Sequence, residues 1–196
     1  MRTQSALQQA ALELFAKHGF DATTTDEIAE QAGVSTRTFF RYFPTKESVL
    51  FVGEHGWIQS LTKQFLDQPA ALTDLEALRE TLLDLAPKQA SRRRSLVLYE
   101  RAVASSPTLR GRVQEHLQGD ITAVAAAVAE RRGQPAADES CALLAAVVLV
   151  TFRRALTRWL EGPVNGDLRR VVADEFALLV AQLDPSTTNG KTSGSR

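Results

Sequence analysis

Thr23–Lys46, TTTDEIAEQAGVSTRTFFRYFPTK, reads as two short helices joined by a tight turn, with a third helix opening behind them. Thr24 and Glu27 stand three apart, the spacing at which a threonine oxygen accepts from an orphan amide while the carboxylate reaches back to the cap. Ile28, Ala29 and Ala32 give that helix a small apolar face. Gly33 supplies the positive φ that ends a helix at low steric cost, and Val34 can pack back against it. Ser35 is the next N-cap. The helix it opens runs through Thr36, Arg37, Thr38, Phe39, Phe40, Arg41, Tyr42 and Phe43, and Pro44 stops it. Thr45 caps a further helix with Lys46 in its first turn. A helix, a glycine-bearing turn and a second short helix exposing polar and basic groups is the helix-turn-helix plan, whose second helix enters a DNA major groove.

On the N-terminal side, Leu7, Ala11, Leu14 and Phe15 recur at helical spacing and define a first helix ending at Gly19. It is expected to lie across the next two and bury Phe39 and Phe43, with His18 capping its C-terminus. On the C-terminal side a long helix is expected from Thr45 toward Asp67, ended by Pro69. Thr73 and Glu76 repeat the capping-box spacing and open a helix with Leu75, Leu78, Leu82 and Leu85 inward and Pro87 as its breaker. Helices over Ser91–Ala104, Pro107–Gly133, Ala137–Leu160 and Asp167–Leu183 complete the pattern. No long segment alternates with period two. The expectation is an all-α chain of about nine helices: a helix-turn-helix domain over 1–46, a larger ligand-binding and dimerisation bundle over 47–183, and a polar, disordered tail over 184–196.

The chain has 196 residues and 44% hydrophobic content, enough for an ordinary core. Its single cysteine, Cys141, excludes an internal disulfide framework and a cysteine-based zinc site, and fits a reducing cytoplasm. The polar N-terminus is not a targeting segment. The longest apolar run, Cys141–Val150, is far short of the about 20 residues a membrane span needs, so no membrane partner is expected. Net charge is zero, and residues 1–50 hold five basic and six acidic side chains. Between Gln31 and Lys46, however, Arg37, Arg41 and Lys46 occur with no acid. A local basic face suffices to meet phosphates, and the lack of surplus charge argues against strong non-specific binding.

The segment resembles the DNA-binding domain of the TetR family of one-component bacterial regulators. The matching residues are Gly19-Phe20, Thr23-Thr24, Ile28-Ala29, Ala32-Gly33-Val34-Ser35, Thr38, Phe39, Tyr42-Phe43 and Lys46. Phe40 stands where the family often has Tyr, which removes a phosphate-contacting hydroxyl. The resemblance implies a ligand-responsive regulator of transcription, most simply a repressor, released from an inverted-repeat operator in double-stranded DNA by a small apolar or amphipathic molecule. It also implies a shift of the Thr45 helix that changes the distance between two reading heads. More loosely, YERAVASSPTLRGRVQEHL at 99–117 and AERRG at 129–133 resemble a branch of the family that responds to acyl-coenzyme A.

Arg37 and Thr36, on the first turn of the second helix, are the candidates for base-edge contacts, since arginine pairs bidentately with guanine and threonine can touch a thymine methyl. Thr24, Tyr42 and Lys46 are candidate phosphate anchors, and Ser35, Thr38, Phe40 and Arg41 complete the DNA-facing set. The ligand set is Leu82, Val97, Tyr99, Arg101, Val113, Leu117, Val148, Phe152, Arg154 and Trp159. Its arginines favour an anionic, largely apolar ligand such as a fatty acid or acyl-coenzyme A. The basic stretch Lys88–Arg112 reads first as a solvated face, open to salt bridges with the acidic helix of Asp67–Asp84, and second as a pocket mouth for an anionic ligand. Ala142, Ala145, Ala146, Leu149, Leu156, Leu160, Val172, Phe176 and Leu179 are the expected homodimer interface, where small residues allow close helix approach. No cofactor, metal or enzymatic chemistry is expected. His18, His55 and His116 fall on separate helices, and Cys141 has no basic neighbour in sequence. The rival reading is an all-α protein-interaction module whose helix-turn-helix no longer binds DNA.

Overall fold

A computed structural model describes residues 2–51 and 54–183. The expected disordered tail, 184–196, therefore lies outside the described residues. Nine α-helices are present among these residues, and no strand: α1 (Arg2–His18), α2 (Thr25–Gln31), α3 (Thr36–Tyr42), α4 (Glu54–Leu66), α5 (Asp74–Ala90), α6 (Arg93–Ser105), α7 (Pro107–Arg131), α8 (Glu139–Glu161) and α9 (Leu168–Leu183). A short 3-10 helix, Glu47–Phe51, stands between α3 and α4. The chain divides into two compact units, one of Met1–Ser60 with Arg92–Ala123, the other of Leu61–Ser91 with Val124–Arg196.

The first unit is built on punctuation that the sequence announces. Gly19, at φ 84°, closes α1 and donates its N–H to the Phe15 carbonyl at 3.0 Å. The capping box on α2 is complete: Glu27 N–H donates to Thr24 Oγ1 at 3.2 Å, and Thr24 N–H donates to the Glu27 carboxylate at 2.7 Å. Gly33, at φ 69°, ends α2 with the paired bonds of a Schellman turn, Gly33 N–H to Glu30 O and Val34 N–H to Ala29 O, each 2.9 Å. Ser35 Oγ then accepts from Thr38 N–H at 3.2 Å and opens α3. One core joins these elements: Leu7, Ala11, Phe15, Ile28, Phe39, Phe43, Val49 and Leu50 pack with Ala102, Val103, Leu109 and Val113. Phe39 and Phe43 are buried as expected, with ring centroids 5.4 Å apart.

Two expectations fail here. The single helix from Thr45 toward Asp67 is instead the 3-10 helix Glu47–Phe51 followed by α4 from Glu54. Thr45 does cap, its Oγ1 accepting from Ser48 N–H at 3.3 Å, but Val49, Leu50 and Phe51 are consecutive and all buried. At three residues per turn these side chains leave the axis in three directions, so neighbours enclose the segment on more than one side.

Pro87 does not break the second unit's first helix, since α5 continues to Ala90. A proline costs a helix one hydrogen bond and a clash, about 3 kcal/mol in an interior. Buried Leu82, Leu83, Leu85, Ala86 and Gln89 flank it and offset that cost. Thr73 and Glu76 form the second complete capping box. Asp138 caps α8, its Oδ1 accepting from Cys141 N–H at 2.9 Å. Helices α5, α8 and α9 pack together around Leu78, Leu82, Val148, Phe152, Val172 and Phe176. Helix α8 is the one described helix long and apolar enough to cross a membrane, which the ten-residue run Cys141–Val150 understated. In this fold its inner face is covered by α5 and α9, with Cys141, Ala145, Val148, Leu149, Phe152, Ala155 and Trp159 buried.

Candidate nucleic-acid interface

Helix α3 presents Ser35, Arg37, Phe40 and Arg41 outward, holds Thr36, Thr38 and Tyr42 half-buried, and turns Phe39 inward. Arg37 has no ion pair among the described residues, so its fork of donors faces outward uncommitted. The Arg41 guanidinium lies 5.1 Å from the Tyr42 ring centroid. Phe40, 51% exposed, sits edge-on to Phe39 at 5.4 Å. The outward face is thus two arginines one turn apart around an exposed phenyl ring.

Three of the polar candidates are already at work within the fold. Thr24 spends its hydroxyl in the capping box, donating to Glu27 at 2.9 Å. The Thr24 amide and hydroxyl hold the Glu27 carboxyl below the usual glutamate range. Lys46 Nζ donates to the carbonyls of Phe20 at 2.7 Å and Thr23 at 2.8 Å, and lies 4.2 Å from the Phe20 ring centroid. Only the third of its N–H donors is left for an outside acceptor. Thr36 Oγ1 donates to Asp26, which corrects the picture of an acid-free face. The run Gln31–Lys46 has no acid in sequence, but folding brings Asp26 of α2 against the first turn of α3.

The first unit also holds an open cleft of about 640 Å³ between the 3-10 helix, α4 and α7. Phe51, Ile58 and Ala123 supply its apolar surface, and Glu47, Glu115 and Asp120 stand against Arg112 and His116. The excess of carboxylates is the wrong sign for an anionic ligand.

Residues 7–51 match the bacterial regulatory proteins of the tetR family, and residues 72–184 match the MftR C-terminal domain. The chain belongs to the TetR family. It is 28% identical over 183 residues to the putative mycofactocin biosynthesis transcriptional regulator MftR of Mycobacterium tuberculosis, covering 93% of this chain and 91% of that one. It is 36% identical over 83 residues to the regulator RutR of Escherichia coli, covering 42% of this chain and 34% of that protein. Among solved structures, the fatty acid degradation regulator FadR of Bacillus halodurans superposes with a TM-score of 0.63 at 22% identity, covering 92% of this chain and 96% of that one. FadR of Thermus thermophilus, solved with lauroyl-CoA, gives 0.58 at 24% identity, covering 98% and 100%. As a TetR protein this chain is a dimeric, ligand-responsive, DNA-binding regulator of transcription, and its relatives are regulators rather than enzymes.

The ligand set divides between the two units of the TetR fold. Val97, Tyr99, Arg101, Val113 and Leu117 belong to the first, and Leu82, Val148, Phe152, Arg154 and Trp159 to the second. None of the ten lines the cleft. Leu82, Val113, Val148, Phe152 and Trp159 are buried, Val97, Tyr99 and Leu117 half-buried, and Arg101 and Arg154 exposed. Arg154 Nε donates to Glu175 at 2.8 Å, and Arg158 pairs with the same carboxylate. Glu175 is only 3% exposed, so burial raises its pKa, but the hydrogen bonds from Arg158 and Arg154 outweigh that and hold it below the usual range. These arginines neutralise a buried acid of α9, a partner 17 to 21 residues away that helix spacing within α8 cannot reveal. Among the described ion pairs, Asp74 is met by Arg131 and Arg132, and Asp84 by Arg169. Arg94 instead meets Glu13 at 3.4 Å, and Arg112 meets Glu47 at 3.6 Å. Cys141 does have a basic neighbour in space, with Arg132 Nη1 at 3.6 Å.

The nine expected interface residues do not share one outer face. Ala145, Leu149, Val172 and Phe176 are buried within the protomer's own second unit, while Ala142 is exposed and Ala146, Leu156, Leu160 and Leu179 are half-buried. The large apolar side chains left outside on these two helices are Leu143, 67% exposed, with Val150, Leu178 and Val180. On α8, Leu143, Ala146 and Val150 fall three and four apart and form one stripe.

Proposed function

We propose that this protein is a cytoplasmic repressor that binds an inverted repeat and leaves it when an acyl ligand binds. The observation that carries the DNA half is α3 itself, a capped helix whose outward face is Arg37, Phe40 and Arg41. In this reading residues 1–46 read DNA, and residues 47–183 bind ligand and dimerise. Arg37 reads a base edge, with Thr36 offering its methyl and its free lone pair. Arg41, Tyr42, Ser35, Thr38 and the third N–H of Lys46 meet backbone phosphates. The stripe Leu143, Ala146 and Val150 on α8, with Leu178 on α9, forms the dimer contact.

The effector is a fatty acid or an acyl-coenzyme A. What supports this is that fold neighbours from Thermus thermophilus and Bacillus subtilis were solved with lauroyl-CoA and stearoyl-CoA. The buried aliphatic interior of the second unit, Leu78, Leu82 and Val148, has the chemistry of an acyl-chain site. The acid-lined cleft is not that site. The regulated genes are those of mycofactocin biosynthesis, as the full-length likeness to MftR and the match to its C-terminal domain suggest.

A gel shift against the DNA upstream of its own gene tests the first half, with a retarded band at nanomolar protein as the expected result. A thermal-shift panel of palmitate, palmitoyl-coenzyme A and cationic lipophilic drugs tests the second. Binding to the folded state raises the melting temperature by mass action, and coupling requires the same compound to lower operator affinity. Stabilisation and DNA release by the cations alone would refute the acyl reading.

A further inference from the structure

The 3-10 helix Glu47–Phe51 follows α3 after only four residues, so its seat fixes how the reading head is presented. Apolar packing secures it, with Val49, Leu50 and Phe51 in the first unit's core beside Leu109 and Val113 of α7. Such packing is non-directional and tolerates rotation. Two further contacts with α7 are directional. Arg112 Nη2 lies 3.6 Å from the Glu47 carboxylate, and the His116 and Phe51 rings stack with centroids 3.6 Å apart and planes inclined by 20°. Both partners on each element stand four residues apart, so the contacts form two successive rungs. One rung leaves a hinge; two at separate points fix an angle. Arg112 is itself steadied by Glu115 at 2.9 Å, one turn along α7.

We propose that Arg112 and His116 are positioning residues that set the half-site spacing this regulator accepts, by fixing the angle at which each reading head leaves α7. In a two-fold dimer, one extra base pair between half-sites displaces the second by about 3.4 Å and turns it by about 35° about the DNA axis. Rejection of a wrong spacer therefore requires heads that cannot swivel. The apolar core keeps the head attached, and the two rungs keep it oriented.

The test uses the full-length dimer and the inverted repeat it selects from a random duplex pool, rebuilt with spacers one and two base pairs shorter and longer. The wild-type protein is expected to lose about tenfold or more in affinity at each wrong spacer, on the scale of a mismatched base pair. Arg112→Ala with His116→Ala should bring all spacers within about threefold of one another, while a base change inside a half-site costs what it costs the wild type. His116→Phe, which keeps the stack, with Arg112→Lys, which keeps the charge, should restore the preference. A general loss of stability would weaken all these DNAs alike, so the spacer ratio separates orientation from folding. Should the double variant unfold, Arg112→Ala and His116→Ala singly carry the same readout, each narrowing the ratio. An unchanged spacer preference in a folded, dimeric variant overturns the proposal.

Discussion

Lys46 Nζ lies 2.7 Å from the Phe20 carbonyl, 26 residues back in the chain, and so ties the segment that follows the reading helix to the turn that follows α1. A lysine that sequence assigns to phosphate is thereby also a brace. Lys46→Ala should lower stability to urea by about 1.5–3 kcal/mol, the range for hydrogen bonds to a charged group. At equal folded fraction it should also weaken specific and random DNA alike and flatten the salt slope by about one unit, through its third donor. An unchanged urea midpoint would remove the brace from the account.

Arg37→Ala should weaken binding to the selected operator by about 1–3 kcal/mol and relax the preference at one base pair per half-site. Affinity for random duplex at the same salt should fall much less. A specific-to-random ratio that does not move would show that Arg37 meets only phosphate.

The outer and inner faces of α8 should separate dimerisation from folding. Val150→Glu or Leu143→Glu should give folded monomers by sedimentation, with operator affinity collapsing because one short helix has too few contacts. Leu149→Glu should unfold the protomer instead, since it buries an unpaired charge at a position 4% exposed and costs more than about 3 kcal/mol. A dimer that survives both outer-face changes would place the contact elsewhere.

Acid should destabilise the protein through its caps. Hydrogen bonds from the N-cap residues hold Glu27 and Glu76 below the ordinary 4.5, and those from Cys141 and Ser140 hold Asp138 below its usual range. Glu175 is lowered by Arg158 and Arg154 against its burial. Carboxyls with a folded pKa below the unfolded one stabilise fully at neutral pH and lose that contribution as pH falls through the folded values. Melting temperature should therefore be flat above about pH 5 and fall below it. Glu76→Gln keeps a cap acceptor but cannot titrate, so its acid limb should be shallower. An identical limb in Glu76→Gln would take that box out of the acid response.

What was legible in the sequence was local. Thr24 with Glu27, Thr73 with Glu76, Gly33 and Ser35 act within four residues of themselves, and the structure shows each doing what its spacing announces. The burial of Phe39 and Phe43 was readable too, because a short helix with aromatic residues four apart has one side to hide. What sequence left open was phase and partnership. From Cys141 to Val150 every residue is apolar, so no period marks which side of α8 meets the protomer's own core. Sequence alone therefore puts Leu149 at the interface, whereas the fold buries Leu149 and leaves Leu143 outside. Asp26 with Thr36, Lys46 with Phe20, and Arg154 with Glu175 join residues 10 to 26 apart across turns, where pairing depends on how helices cross. The cleft is lined from three elements and had no linear signature at all.

The core beneath α1, α2 and α3 includes Ala102, Val103, Leu109 and Val113, which lie beyond a 31-residue excursion of the chain, Leu61–Ser91, into the other unit. Grafting the reader of this protein onto a foreign sensor by a single cut after the reading helix would strip that apolar surface bare and yield a sticky, half-built module. A working chimera must carry two pieces of chain, 1–60 and 92–123, and accept the new sensor as an insertion between them and a continuation after them. The same discontinuity means that recombination at one point within this gene rarely hands its DNA specificity to another.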